Sequence, residues 1–257
     1  MSTIHYEVTD NIAVLTIQSP PANALSSTLL RDLNQKLDTI EGVPEIKAVI
    51  LTGEGKFFSA GADIKEFTSL QEASDYEALS KKGQVLFARM ENYHVPIIAA
   101  IHGAALGGGL ELAMACHIRI ASETAKLGLP ELTLGIIPGF AGTQRLPYYV
   151  GASKAYEMIL TGEAITGVEA EKYGLVNQTT DDDSVYEHAK QLADKIAEKS
   201  GPTIHEIMKL IPYARTGNFT EGADHEAEAF GRVFGSEDAK EGIAAFLEKR
   251  KASFKDQ

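Results

Sequence analysis

Two carboxylates in this chain stand where a carboxylate is costly to keep. Glu111 is the one charged residue in Ala104–Met114 (AALGGGLELAM), and Glu131 is the one charged residue in Leu127–Gly135 (LGLPELTLG). Burying such a group is expensive unless it is hydrogen-bonded or functional. Dry surroundings raise a carboxyl pKa toward neutrality, where the group can both accept and release a proton. The pair therefore points to general acid–base chemistry. Each residue also admits a plainer role. Glu111 could be a first-turn acid that favours a helix end, and Glu131 a solvent-facing loop acid. Their separation in the chain does not by itself bring them together.

The glycines beside Glu111 add a second chemical possibility. Three in a row, Gly107–Gly109, weaken any regular element, yet the run around them is apolar and unlike a flexible linker. Glycine at a strand end suggests a turn where something approaches the backbone closely. A helix starting near Gly108 has first-turn N–H groups without helical acceptors, and its dipole favours negative charge there. Phe57–Asp63 (FFSAGAD) has the same form, a small-residue turn after a buried strand, with Asp63 placed to cap a short helix. Two parallel units of this kind put two backbone N–H groups on one edge. That is an oxyanion hole, in which one donor contributes a factor of about 10²–10³ in rate.

The elements that must position these residues follow from hydrophobic periodicity. Ile12–Ile17, Lys47–Thr52, Ile97–Ile101 and His117–Ala121 read as strands, three of them closed by Gly or Pro. Leu29, Leu30, Leu33, Leu37 and Ile40 mark a helix capped by Ser26 or Ser27. A polar helix is expected over Ala73–Tyr93, with Leu127–Gly135 a loop. Helices are expected at Ala152–Leu160, Ser184–Lys199, Thr203–Ile211 and Glu221–Lys251. Alternating strands and helices indicate an α/β fold. A soft boundary near Lys199 separates an α/β core (residues 1–199) from a C-terminal helical segment (residues 200–257).

The 257 residues carry a net charge of −12 with pI about 5.1. That opposes a nucleic-acid partner, which needs clustered Lys and Arg. No apolar stretch reaches membrane-spanning length and the N-terminus lacks signal-peptide features, so a cytoplasmic protein is expected. Cys116 is the single cysteine; its apolar neighbours suit a buried structural thiol. His102 and His117 read as strand-end histidines, neither with a metal-ligand spacing partner.

Longer segments resemble a known family. PPANALS (Pro20–Ser26), FFSAGADIKEF (Phe57–Phe67), PIIAAIHGAALGGGLELAMACHIRIA (Pro96–Ala121), LGLPELTLGIIPGFAGTQRLP (Leu127–Pro147) and FLEKRKASF (Phe246–Phe254) are similar to the crotonase superfamily, and within it to bacterial enoyl-CoA hydratases. The resemblance implies a spiral of ββα units with C-terminal helices that build trimers or dimers of trimers. It implies Glu111 and Glu131 as the catalytic pair, and the N–H groups of Ala62 and Gly108 as the oxyanion hole. It assigns Ala60, Ile64 and Lys65 to coenzyme A and Gly139 to placing the reacting water. The implied substrate is an acyl-CoA thioester, with no metal and no separate cofactor. The implied reaction adds water to a trans-2-enoyl-CoA, Glu111 acting as base and Glu131 as acid, in fatty acid β-oxidation. Phe246–Phe254 resembles a segment that reaches a neighbouring subunit's coenzyme site, where Lys249, Arg250 and Lys251 could serve. Pocket walls that set acyl-chain length are expected from about Thr68 to Phe87 and in the C-terminal helices.

Two rival activities differ in chemistry. An enoyl-CoA isomerase or another acyl-CoA-processing relative shares the oxyanion hole, but isomerases of this superfamily generally use one carboxylate. An NAD-dependent dehydrogenase is suggested by the strand–glycine–helix pattern and by Tyr186 and Lys190. The chain lacks the G-x-G-x-x-G fingerprint that such a protein places after a strand.

Overall fold

The computed structural model describes residues 3–67 and 72–257; Thr68–Gln71 of the expected chain-length wall lie outside them. The apolar runs form the long strands. β1 (Ile4–Thr9) and β2 (Ile12–Ile17) make an antiparallel hairpin turned at Asp10 and Asn11, both at positive φ, a region Asp and Asn tolerate better than most residues. α1 (Ser27–Glu41) follows, and the Ser26 hydroxyl accepts from the Leu29 N–H as the cap. Next come β3 (Ala48–Gly53), β4 (Phe57–Ser59), α2 (Ile64–Phe67) and α3 (Ala73–Glu91). β5 (Ile97–Ile101), β6 (Ala104–Leu106) and α4 (Gly108–Ala115) repeat the pattern. So do β7 (Ile118–Ser122), β8 (Lys126–Gly128), a 3-10 turn at Glu131–Leu134 and α5 (Gly142–Thr161). β9 (Ile165–Thr166), α6 (Gly167–Lys172), β10 (Gln178–Thr180) and α7 (Val185–Ala197) complete the α/β part. α8 (Gly201–Thr216), α9 (Phe219–Phe234) and α10 (Glu237–Glu248) end the chain.

Three successive units thus run long strand, short strand, helix. The long strands join one sheet in the order β1-β2-β3-β5-β7-β10, parallel from β2 onward. The short strands join a second sheet, β4-β6-β8-β9, in which β4, β6 and β8 are parallel. This is the ββα spiral that the resemblance implied. In β3, Val49 and Leu51 face the main core with α1 and α3, while Ala48 and Ile50 face α7 through Val185, Ala189 and Ala193. A strand buried on both faces is apolar throughout, which is why KAVILT shows no alternation.

Two expectations change. The helix expected at Ala152–Leu160 starts earlier: α5 begins at Gly142 and carries Pro147 within it, breaking helical geometry only at Gly151. The expected helix over Glu221–Lys251 is two, divided at Gly235 and Ser236, where the Ser236 hydroxyl caps α10.

Candidate active site

The AGAD turn after β4 is held by the PPANALS segment. The Ala60 N–H donates to the Ala22 carbonyl (2.9 Å), Leu25 N–H to Gly61 O (2.8 Å) and Asp63 N–H to Leu25 O (3.2 Å). Asn23, buried and at positive φ, donates from its amide to the Glu54 and Phe57 carbonyls. That segment therefore serves as a buttress. Because β4 and β6 lie side by side and parallel, the turns that follow them meet. A Cβ built on Gly108 would lie 3.3 Å from the Ala62 nitrogen. Gly108 opens α4, so its N–H has no helical acceptor. The structure brings the two expected donors together.

Glu111, one turn into α4, is fully buried. Its Oε1 accepts from the Phe140 N–H (2.8 Å) and the Gly142 N–H (2.6 Å). Ala141, between those donors, is left-handed (φ 69°) and caps α5, which lets the N–H groups on either side converge on one oxygen. Burial pushes the Glu111 carboxyl up to about 7; the Gly142 N–H opposes this and the nearby Glu131 charge adds to it.

Glu131 opens the 3-10 turn after β8. Gly107, at φ 53°, lies against its carboxylate, so close that a Cβ there would be 3.0 Å from Oε1. Oε2 is buried with no hydrogen-bond partner among the described residues, and burial raises this carboxyl as well. Both glutamates line one cavity of about 210 Å³, together with Ala60, Ala62, Ile64, Gly108 and Gly139. Lys65 is exposed on α2, outside that lining.

The sequence reading did not find the groups that hold Glu111. The Arg145 guanidinium donates to the Phe140 carbonyl and pairs with Glu91 (Nε to Oε1 3.0 Å, Nη2 to Oε2 2.7 Å). Arg215 of α8 reaches the same Glu91 at 2.5 Å. An Arg–Glu–Arg chain, buried at Arg145 and partly exposed at Arg215, therefore links the C-terminal helices to the loop that grips Glu111. GTQR, read as part of the family pattern, contained the signal: a glycine opening a helix and an arginine one turn on.

The remaining candidates are structural in their surroundings. Cys116 is buried, its thiol pushed up to about 12 by desolvation. His117 Nδ1 accepts from the Ile97 N–H (2.9 Å), and burial holds its pKa down at about 4. His102 contacts the Gly55 carbonyl. Tyr186 is partly exposed on α7, and Lys190 on the same helix pairs with Asp194. Arg250 and Lys251 are tied to Glu241, Glu248 and Glu198 of the same chain. Among the described residues no group of three or more His, Cys, Asp or Glu side chains could hold a metal ion, and no helix is long and apolar enough to cross a membrane.

A ββα spiral with two paired backbone N–H groups and two raised carboxylates on one cavity defines a class of protein built for acid–base chemistry beside an activated carbonyl. The enoyl-CoA hydratase/isomerase family profile matches residues 7–257. A probable enoyl-CoA hydratase of Bacillus subtilis is 57% identical over 256 residues, covering 99% of each chain. A short-chain-enoyl-CoA hydratase of Clostridium acetobutylicum is 40% identical, covering 98% of this chain and 97% of its own. The crystal structure of an enoyl-CoA hydratase from Bacillus anthracis superposes with a TM-score of 0.94 at 37% identity, covering 99% of this chain and all of the other. This chain belongs to the enoyl-CoA hydratase/isomerase family.

Proposed function

We propose that the protein is an enoyl-CoA hydratase, adding water across the C2–C3 double bond of a trans-2-enoyl-CoA to give a 3-hydroxyacyl-CoA. The observation that carries this is the pair of raised carboxylates on the cavity that also contains Ala62 and Gly108. The N–H groups of those two residues bind the thioester oxygen and draw electron density from C3. Glu111, with Oε1 already engaged by two N–H groups, uses its other oxygen to take a proton from water as the hydroxyl adds to C3. Glu131, protonated at the start, delivers a proton to C2. One water is added and no electrons are lost. Glu111 ends protonated and Glu131 ionised, so a proton must pass between them before the next turnover. Both carboxylates line the cavity in which that transfer would take place.

Ala60, Ile64 and Lys65 are assigned to coenzyme A, and Gly139 to holding the water. Hydration is redox-neutral, and the oxyanion hole supplies the polarisation a metal would otherwise give, so the reading includes neither a metal nor a separate cofactor. The same reading places the enzyme in the cytoplasm, in fatty acid β-oxidation, as a homotrimer or dimer of trimers.

Loss of the enoyl-thioester ultraviolet absorbance on adding enzyme tests the proposal. Glu111→Gln and Glu131→Gln are each expected to slow hydration by about 10²–10⁴-fold while acyl-CoA binding persists. Near wild-type rates in both single variants would overturn the assignment.

A further inference from the structure

The cavity carries information about the acyl group as well as the reaction. At about 210 Å³ it is smaller than the roughly 300–1,000 Å³ typical of small-molecule sites. One wall is closely packed. Phe140, which follows Gly139 and supplies an N–H to Glu111, is 3% exposed and inserts its ring between the active site and α3. One ring edge lies against Gly108, where an added Cβ would be 3.2 Å from Phe140 Cε2. The opposite edge lies against Gly83 of α3, where an added Cβ would come within 2.3 Å of Cδ1. Phe87 meets the ring edge-to-face at 5.4 Å. Behind it the Arg145 guanidinium holds the Phe140 carbonyl.

At Gly83 any side chain would collide with this ring. Glycine inside a helix costs about 1 kcal/mol relative to alanine, and α3 accepts that cost where the ring needs the space. The ring therefore has little freedom to swing toward α3 and open a channel. Any acyl chain passing between the Gly108 donor and α3 meets it.

We propose that Phe140 is a specificity-determining residue that closes the acyl end of the cavity and restricts the enzyme to short-chain enoyl thioesters. This rests on the hydratase reading above. An aromatic wall within van der Waals reach of the oxyanion donor leaves room for the reacting carbons and little beyond them. Longer chains would have to displace a ring that α3, Phe87 and Gly108 hold on three sides.

The test is a comparison of kcat/KM for crotonyl-, hexenoyl- and decenoyl-CoA, followed by ultraviolet absorbance, in the wild type, Phe140→Ala, Phe140→Leu and Gly83→Ala. Because each variant is read as a ratio of substrates, a general loss of rate or stability cancels. The wild type is expected to favour crotonyl-CoA. Phe140→Ala is expected to raise the decenoyl-to-crotonyl ratio by about tenfold or more, the scale on which a hydrophobic pocket discriminates chain length, with Phe140→Leu between them. Gly83→Ala drives the ring toward the substrate and is expected to lower the hexenoyl-to-crotonyl ratio. Adding Phe140→Ala to Gly83→Ala removes the clash and should restore that ratio. Unchanged ratios in active Phe140 variants, or a wild type that favours decenoyl-CoA, would overturn the stop while leaving the hydratase reading intact. A wild type inert toward every enoyl-CoA would overturn both.

Discussion

Glu111 and Glu131 are both held above the ordinary carboxyl range, but by different surroundings. Glu111 is desolvated and then partly compensated by two backbone donors; Glu131 is desolvated with one buried oxygen unpartnered. Hydration requires Glu111 ionised and Glu131 protonated, so kcat/KM should follow a bell in pH. Burial raises both carboxyls, Glu111 to about 7, and the two limbs belong to the coupled pair rather than to either residue alone. A flat profile between about pH 5 and 9 would exclude the pair as acid and base. The same burial bears on stability. The folded protein binds the Glu111 proton more tightly than the unfolded chain does. That contribution is full below the ordinary carboxyl pKa of 4.5 and is lost as pH rises through about 7. Glutamine keeps an oxygen for the Phe140 and Gly142 N–H groups without the charge. Glu111→Gln should therefore melt higher than wild type at about pH 8, by up to about 3 kcal/mol, and show little difference at about pH 4. An inactive variant less stable at the higher pH would contradict the desolvation argument.

At the scale of elements, the two cavity glutamates depend on where helices begin. Ala141 caps α5 in a left-handed conformation that costs a non-glycine residue roughly 1–2 kcal/mol. Ala141→Gly should keep activity and raise the melting temperature, an effect of about 1 kcal/mol or less once the freer unfolded chain is counted. A lower melting temperature would show the cap to be unstrained. The Arg145–Glu91–Arg215 chain joins α5, α3 and α8 behind the same loop. Glu91 is held below the ordinary carboxyl range: burial opposes ionisation, and the two guanidinium groups outweigh it. Glu91→Gln leaves two guanidinium groups facing each other without their counter-charge. It should cost about 1–3 kcal/mol in denaturant unfolding, since Arg145 is buried and Arg215 partly solvated, and shift the limbs of the pH profile by loosening the Phe140 loop. Loss of stability with an unmoved pH profile would make the chain a structural tie only.

Across the whole molecule, the C-terminal helices leave large apolar side chains in water: Phe219 is 83% exposed, Phe246 81% and Leu247 74%, and the exposed Phe230 and Phe234 stack on each other. Apolar surface on this scale marks an interaction site, and the proposed homo-oligomer would cover it. Sedimentation equilibrium is expected to give a trimer or hexamer, and a monomer at micromolar concentration would remove that support. The sequence alone determined which side chains could do acid–base work, because a carboxylate isolated among apolar residues is legible from its neighbours. It also determined the long strands and α1, whose apolar periodicity is local. It missed β1, the short second-sheet strands and the first half of α5, where three-residue strands and a proline inside a helix carry almost no local pattern. Only the tertiary structure decided that Glu111 and Glu131 share a cavity, and that Phe140 and Gly142 hold the first while Gly107 receives the second. Those contacts are made by backbone N–H groups and by missing Cβ atoms. Every residue but proline has such an N–H, so which ones converge is set by the parallel register of β4, β6 and β8.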